Sequence, residues 1–232
     1  MELLLGLLLT VILGIVHFFG EQINEKLIAP ASIITSFSAG ISVSYVFLML
    51  LPELHKGFGQ FGDYTFLFAM VGFAGVHMIE KAIYRHEKTL EDIKRDFKEL
   101  HSVFLFIYHL GMGTVLFYIL RTSPLEGTLF FIPLLLHTAI SSLSLKELNE
   151  DVLDITSVKI LISVSGVAGV LIASFTGVSF GQFHVILGII TGMFLHVVIS
   201  DSMEAEAKGE TWSFLLGIIL YSLLIISLWT FL

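Results

Sequence analysis

An all-α membrane protein of eight transmembrane helices is the fold class this sequence predicts, and three observations predict it. Hydrophobic side chains make up 56% of the 232 residues and charged ones only 14%, whereas soluble chains run near ~25% charged. The mean hydropathy is +0.92. The apolar residues also come in blocks long enough to cross a hydrocarbon core, which takes about 20 residues per helix. A spanning segment must satisfy its own backbone polar groups, and the alternation expected of barrel strands does not occur, so the blocks are read as helices. The chain has no cysteine, which excludes disulfides, a thiolate metal site and a cysteine nucleophile. A formal net charge of −8 argues against nucleic acid, which requires a basic surface.

Charges, glycines and prolines bound the spans at about 3–20, 32–53, 64–84, 101–121, 128–146, 157–178, 182–203 and 211–231, in a single transmembrane domain covering 1–232. The first opens Met1-Glu2 with no Lys or Arg ahead of it, so a retained helix is expected rather than a secretory signal. It ends with His17 and Glu21 at i, i+4. The second carries Thr35, Ser38, Ser42 and Tyr45 along one helical face, beside a ridge of Ser36, Gly40 and Ser44, and ends at Glu53. The third holds His77 and Glu80 near its end. A polar connector at about 85–100 follows, with mixed charge and helix-forming residues; Glu91 and Arg95 could pair at i, i+4 on a short surface helix.

His109, followed by Gly111 and Gly113, marks the fourth span. The fifth places His137, Ser141 and Ser144 on one face, and Pro133 is expected to bend it and free backbone carbonyls. Ser165, Gly169, Ala173 and Gly177 give the sixth a packing ridge. The seventh presents His196, Ser200 and Glu204 on one face, with Asp201 beside them, and the eighth is apolar throughout. His55, His86 and His101 fall at loop edges, where solvation accounts for them.

Ten of the twelve Lys and Arg residues lie after spans one, three, five and seven; only Lys56 and Arg121 lie on the opposite side. Positive residues stay cytoplasmic, so both termini are expected outside and the 85–100 connector inside. Segments 40–57 and 192–209 share a frame: Gly40 precedes Lys56-Gly57 as Gly192 precedes Lys208-Gly209, with Glu53 near the end of one and Asp201, Glu204 and Glu206 near the other. The charge count makes these two spans run in opposite directions. Inverted repeats of that kind are a transporter architecture with the site near the midplane. Spans one to three and six to eight would be the repeats, with four and five as the central pair.

Ionisable groups at membrane depth are costly and usually face a partner or a cavity, which makes each a site candidate. His109 and His137 on the central pair would supply imidazoles to a metal site, and neutral imidazole suits zinc and other borderline divalent ions. Each histidine alone fits a hydrogen bond between helices better than a metal ligand, the pair His109 and His137 fits both, and the small and hydroxyl residues fit close packing. Spans four and five hold no Asp or Glu in their cores. The expected metal-ligating set is therefore His109, His137, Ser141 and His196, with charge from Glu53, Asp201 and Glu204.

Segment Phe37–Glu53, FSAGISVSYVFLMLLPE, resembles the second span of the ZIP family of zinc and iron transporters, which has a small-residue glycine turn and a His-Leu-Leu-Pro-Glu-like ending. Met49 stands where that histidine would be, and Leu50, Leu51, Pro52 and Glu53 match. Gly192–Glu204, GMFLHVVISDSME, resembles the family's seventh span, roughly Gly-Thr-Phe-Leu-Tyr-Val-Ala. The motifs cover about 30 residues and the topology the whole chain. The resemblance implies a ZIP-like 3+2+3 arrangement with inverted repeats. Against the family's His-Asn-x-x-Asp/Glu-Gly, the fourth span reads His109-Leu110-Gly111-Met112-Gly113-Thr114. Against His-Glu-x-x-His-Glu, the fifth reads His137-Thr138-Ala139-Ile140-Ser141-Ser142. Only the first histidine of each motif is kept, which implies a reduced or altered site.

Three functions are expected in descending order. The first is a transporter of zinc or another divalent cation, in the cell membrane, with the ion as substrate and no resident cofactor implied. The second is a non-transporting sensor or scaffold with the same fold. The third is an intramembrane hydrolase in which zinc activates water; no HExxH or HxxxH pair supports it, and the chain is expected not to be an enzyme. The bilayer and the ion are the expected partners, with a homodimer left open.

Overall fold

Blocks of unbroken apolar sequence fold into helices in the computed structural model, which describes residues 1–24, 31–86, 90–147 and 156–231. Within these helices, the side chains of 20–24, 31, 86, 90–101, 140–147, 156–157, 201–208, 228 and 231 lie outside the description. The described chain is all-α and contains no strand. Eight long helices follow in order: α1 (Glu2–Asn24), α2 (31–55), α3 (Thr65–His86), α4 (Leu90–Thr122), α5 (Pro124–Glu147), α6 (Thr156–Thr176), α7 (Phe180–Lys208) and α8 (Thr211–Phe231). A four-residue helix, Phe58–Phe61, and a 3₁₀ turn, Gly62–Tyr64, link α2 to α3. The expected connector at 85–100 is helical from Leu90 onward and runs directly into the fourth span, as its helix-forming composition allows.

Local signals set the ends. Pro124 opens α5, where its missing N–H costs nothing. Ser179 and Gln182 close a reciprocal capping box at the start of α7. Gly177 takes a positive φ of 63° just past α6, a conformation that suits glycine after a helix. Within α2, Val46–Leu50 form a π turn in which the Leu51 N–H reaches back to the Val46 carbonyl. Pro52 follows it and has no N–H with which to continue an α ladder.

Among the described residues, six helices are long and apolar enough to cross a bilayer: Glu2–Phe19, Ser32–His55, Phe58–Arg85, Ser102–Thr122, Val158–Thr176 and Phe180–Ser200. The described apolar stretches of α5 and α8, Pro124–Ala139 and Thr211–Ser227, are shorter. The chain is a multi-pass membrane protein. Its outward faces carry large apolar side chains such as Leu8, Met70, Leu216 and Leu223, as lipid contact requires. On α8, exposed Trp212 and Trp229 sit near the two ends, about 26 Å apart at 1.5 Å per residue. Tryptophan favours the two membrane–water interfaces.

Helix pairing follows the small residues. The most extensive contacts join α3 to α7, α4 to α6, α2 to α8 and α1 to α6. A side chain at Gly40 would collide with the Phe214 carbonyl, and one at Gly217 with that of Phe37, so α2 and α8 meet backbone to backbone. The α3–α7 pair repeats the device: Gly72 lies against the Ile189 carbonyl and Gly192 against that of Ala69. It recurs once more in α4 and α6, where Gly113 meets the Gly166 carbonyl and Gly169 meets that of Leu110. There Thr114 Oγ1 adds a hydrogen bond to the Gly169 carbonyl at 3.3 Å. Such approaches suit a bilayer, where tight van der Waals packing drives helix association.

Contacts across α2–α5, α2–α7, α4–α5 and α4–α7 close the centre. The core lies there, with Tyr45, Leu50, Met112, Phe130, Leu134 and Phe194 almost fully buried.

Candidate functional site

Phe194 is the hub of this centre. On α7, Leu187, Thr191, Phe194 and Val198 recur at helical spacing and are all buried, so this stripe faces inward. Three rings from three other helices pack on Phe194. Tyr45 of α2 meets it edge-on at 5.7 Å between centroids, Tyr108 of α4 stacks on it at 5.9 Å and 7°, and His137 of α5 meets it edge-on at 4.9 Å.

Three buried histidines come from α1, α4 and α5. His109 follows Tyr108, and the two rings lie 5.6 Å apart. Its Nε2 lies 3.5 Å from Thr138 Oγ1, the residue after His137. His17 of α1 joins from the other side, its ring edge-on to His109 at 5.4 Å. His17, His109 and His137 are 9%, 3% and 8% exposed, so all three imidazoles are held away from lipid and solvent.

Several hydroxyls near this centre are orphaned. Tyr45, Tyr108 and Thr191 are buried, and none of their hydroxyls finds a hydrogen-bond partner among the described residues. An unpaired buried polar group costs about 1–3 kcal/mol. Threonine in a spanning helix commonly bonds the carbonyl one turn back, as Thr10 does to Gly6 at 2.8 Å. Thr191 makes no such bond.

The other expected ligands lie elsewhere or outside the description. His196 is two residues beyond Phe194, about 200° around the helix, and faces α3 instead of the centre. Its Nε2 lies 3.4 Å from a Glu80 carboxylate oxygen, and the His77 ring is 5.7 Å away. Beside this group a cavity of about 260 Å³ lies between α3, α4 and α7, lined by apolar side chains including Val76, Phe104 and Met193, with Glu80 as its carboxylate. Glu53 sits about 12 Å along α2 from Tyr45 by helical rise and is paired with Lys56 at 2.6 Å. Partial burial works against the charge on Lys56, but the hydrogen bond and charge of Glu53, with Glu126 beyond, outweigh it and raise its pKa above the ordinary lysine value. The side chains of Ser141, Asp201 and Glu204 lie outside the described residues. Among the described residues, no group of three or more His, Asp or Glu side chains is placed to hold a metal ion.

Sequence reasoning named His109 and His137 as candidates and did not single out Phe194, Tyr108 or Thr138, which lie against them. It also passed over His184, which is fully buried in the first turns of α7. The His184 Nδ1–H donates to the Phe180 carbonyl at 2.8 Å, and Nε2 has no partner among the described residues. Gly57 is the one local signal for it, because a side chain there would strike the His184 ring.

No protein-family model matches the chain, and no curated protein is significantly similar to it in sequence.

Proposed function

We propose that the chain is a ZIP-like transporter of a divalent metal cation, with a reduced ligand set centred on His109 and His137. The observation that carries this reading is the burial of imidazoles from α1, α4 and α5 near the junction of α2, α4, α5 and α7: His17 against His109, His109 beside Thr138, and His137 against Phe194. Ionisable groups at such depth are expensive and are kept for function. Imidazole is a good ligand for borderline divalent ions.

The matched glycine crossings support the 3+2+3 arrangement with inverted repeats. Phe37 and Gly40 on α2 correspond to Ile189 and Gly192 on α7 in the same register as the sequence frame that relates 40–57 to 192–209. Their partners, Phe214 and Gly217 on α8, correspond to Ala69 and Gly72 on α3. Eight spans with both termini outside follow from this arrangement and from the Lys and Arg count.

Transport would move one body against the other around the midplane site. Packing supports α2, α3, α7 and α8 as one body and α1, α4, α5 and α6 as the other. Backbone-to-backbone crossings fall within each body, whereas side chains fill the seam: Phe194 on Tyr108 and His137, and Ile190 over Gly111.

A non-transporting sensor or scaffold is the second reading. The lack of Asp and Glu in the cores of spans four and five favours it. Uptake of a panel of divalent cations into proteoliposomes separates the two, comparing the native chain with H109A/H137A. Saturable uptake lost in the variant supports transport. Cation binding without uptake supports the sensor, and neither binding nor uptake removes the metal reading.

A further inference from the structure

We propose that the cavity between α3, α4 and α7 binds one acyl chain of a phospholipid whose primary ammonium headgroup is held by Glu80. The site is separate from the histidine centre and does not depend on the transport reading.

Shape is the first argument. On α3 the lining positions Val71, Gly72, Gly75, Val76, Ile79 and Glu80 fall on one helical face. From Val71 to Glu80 the face runs about 13 Å at 1.5 Å per residue. Val71 lies at the middle of the apolar stretch Phe58–Arg85, and Ile189 of α7 lies at the middle of Phe180–Ser200. Glu80 marks the other end together with Val103, which is next to the start of the apolar stretch Ser102–Thr122 on α4. The cavity thus runs from one edge of the spanning region to its middle, close to half of a ~30 Å hydrocarbon core. That is the depth of one leaflet.

Access is from the bilayer. Val71 and Ile79 on α3 and Val103 and Ile107 on α4 are exposed on the outer surface, whereas Met193 of α7 is buried behind them. The cavity therefore opens sideways between α3 and α4. Its volume of about 260 Å³ exceeds the roughly 150 Å³ that suffices for benzene. Room is greatest at Gly75, where a side chain would meet nothing within 4 Å.

Charge selects the headgroup. Glu80 is the one charged residue in the lining and stands at the edge of the spanning region. His196, almost fully buried and outside the lining, backs its carboxylate with Nε2 at 3.4 Å. A membrane lipid has the same polarity along its length, with the headgroup at the edge and the chain toward the middle. A primary ammonium brings three N–H donors, and hydrogen bonds between ions are the strong ones. A choline headgroup brings none, and Phe104, the one aromatic ring in the lining, does not make the cage that a quaternary ammonium needs. Exposed Lys81 and Arg85 follow Glu80 on the same end of α3, at the level of the lipid phosphate.

The test is native mass spectrometry of the full chain, stripped of lipid in detergent and offered phosphatidylethanolamine, phosphatidylcholine and phosphatidylglycerol with identical acyl chains. The native chain should retain phosphatidylethanolamine about tenfold better than phosphatidylcholine. Glu80→Gln keeps the side-chain shape and should bring the two lipids within about twofold of each other. Gly75→Phe fills the cavity where there is room and should lose bound lipid of every headgroup, with a melting temperature no lower than native. Equal retention of the three lipids by the native chain would overturn the proposal, as would an undiminished preference in E80Q. Phosphatidylglycerol held as tightly as phosphatidylethanolamine would overturn it too, by assigning the binding to Lys81 and Arg85. A folded G75F protein that keeps its lipid would place the chain somewhere other than this cavity.

Discussion

The Tyr221 hydroxyl on α8 donates to the Leu129 carbonyl on α5 at 3.3 Å. Leu129 lies four residues before Pro133, so the N–H that would normally take its carbonyl does not exist. The same phenol oxygen lies 3.4 Å from the Met49 sulfur on the π turn of α2. A carbonyl freed by proline is thus satisfied from another helix, and the bond ties the two proposed moving bodies together.

Tyr221→Phe should lower thermal stability in detergent by about 1–3 kcal/mol, the cost of a buried acceptor left unpaired. In a P133A background the carbonyl regains its helical partner, and Y221F should cost less than half as much. Equal costs in the two backgrounds would disconnect Tyr221 from the proline.

On α3, Gly72 and Gly75 make a matched comparison. A side chain at Gly72 meets the Ile189 carbonyl, whereas one at Gly75 meets nothing within 4 Å. G72A should destabilise by at least about 1–3 kcal/mol through overpacking. G75A should be neutral or gain up to about 1 kcal/mol of helix propensity. Melting curves of both variants decide this, and similar losses at the two sites would mean that α3 and α7 do not cross where Gly72 lies.

His17→Ala should weaken Zn²⁺-dependent thermal stabilisation about 10–100-fold in apparent affinity, the range for losing a group that orients a ligand. The edge-on ring contact with His109 at 5.4 Å is the reason. Native-like affinity in the variant would exclude His17 from the site.

The Lys56–Glu53 pair predicts a pH dependence at the end of α2. Because the folded pKa of Lys56 is raised, its contribution is fully present below the unfolded lysine value and is lost as pH rises through the folded one. Native protein and K56Q should differ by a small, constant amount at neutral pH, on the order of 0.2–1 kcal/mol for a partly exposed pair. Their melting temperatures should converge only in strongly alkaline buffer. Convergence on acidification through the histidine range instead would assign the effect to another group.

Much of the fold was legible because bilayer crossing leaves long apolar blocks that few other constraints imitate. Gly40 and Gly192 were legible too, since close helix approach admits little else. The Thr35, Ser38, Ser42 and Tyr45 stripe was read as one face, and Ser38, Ser42 and Tyr45 are buried together. Partner choice was harder to read. His196 shares a sequence stripe with Ser200 and Glu204, but spacing along a helix does not say which neighbour that stripe meets, and His196 meets Glu80. Phe194 and Tyr108 resembled ordinary core aromatics. Their place at the centre depends on how four helices converge, which no local pattern records.

The π turn in α2 sets the phase of that helix. Tyr45, Leu50 and Leu54 are all buried, at steps of five and then four residues. In an uninterrupted α-helix, Tyr45 and Leu54 would point in nearly opposite directions, since each residue turns the chain by about 100°. The extra residue takes out about 100° of that rotation and leaves the two buried positions within about 80° of each other. Removing a single residue between Val46 and Leu50 would therefore shorten the helix without turning its second half. Straightening the π turn into α with every residue kept would instead swing everything from Pro52 to Lys56 by about 100°, taking Leu54 out of the core while leaving the first half of α2 in place.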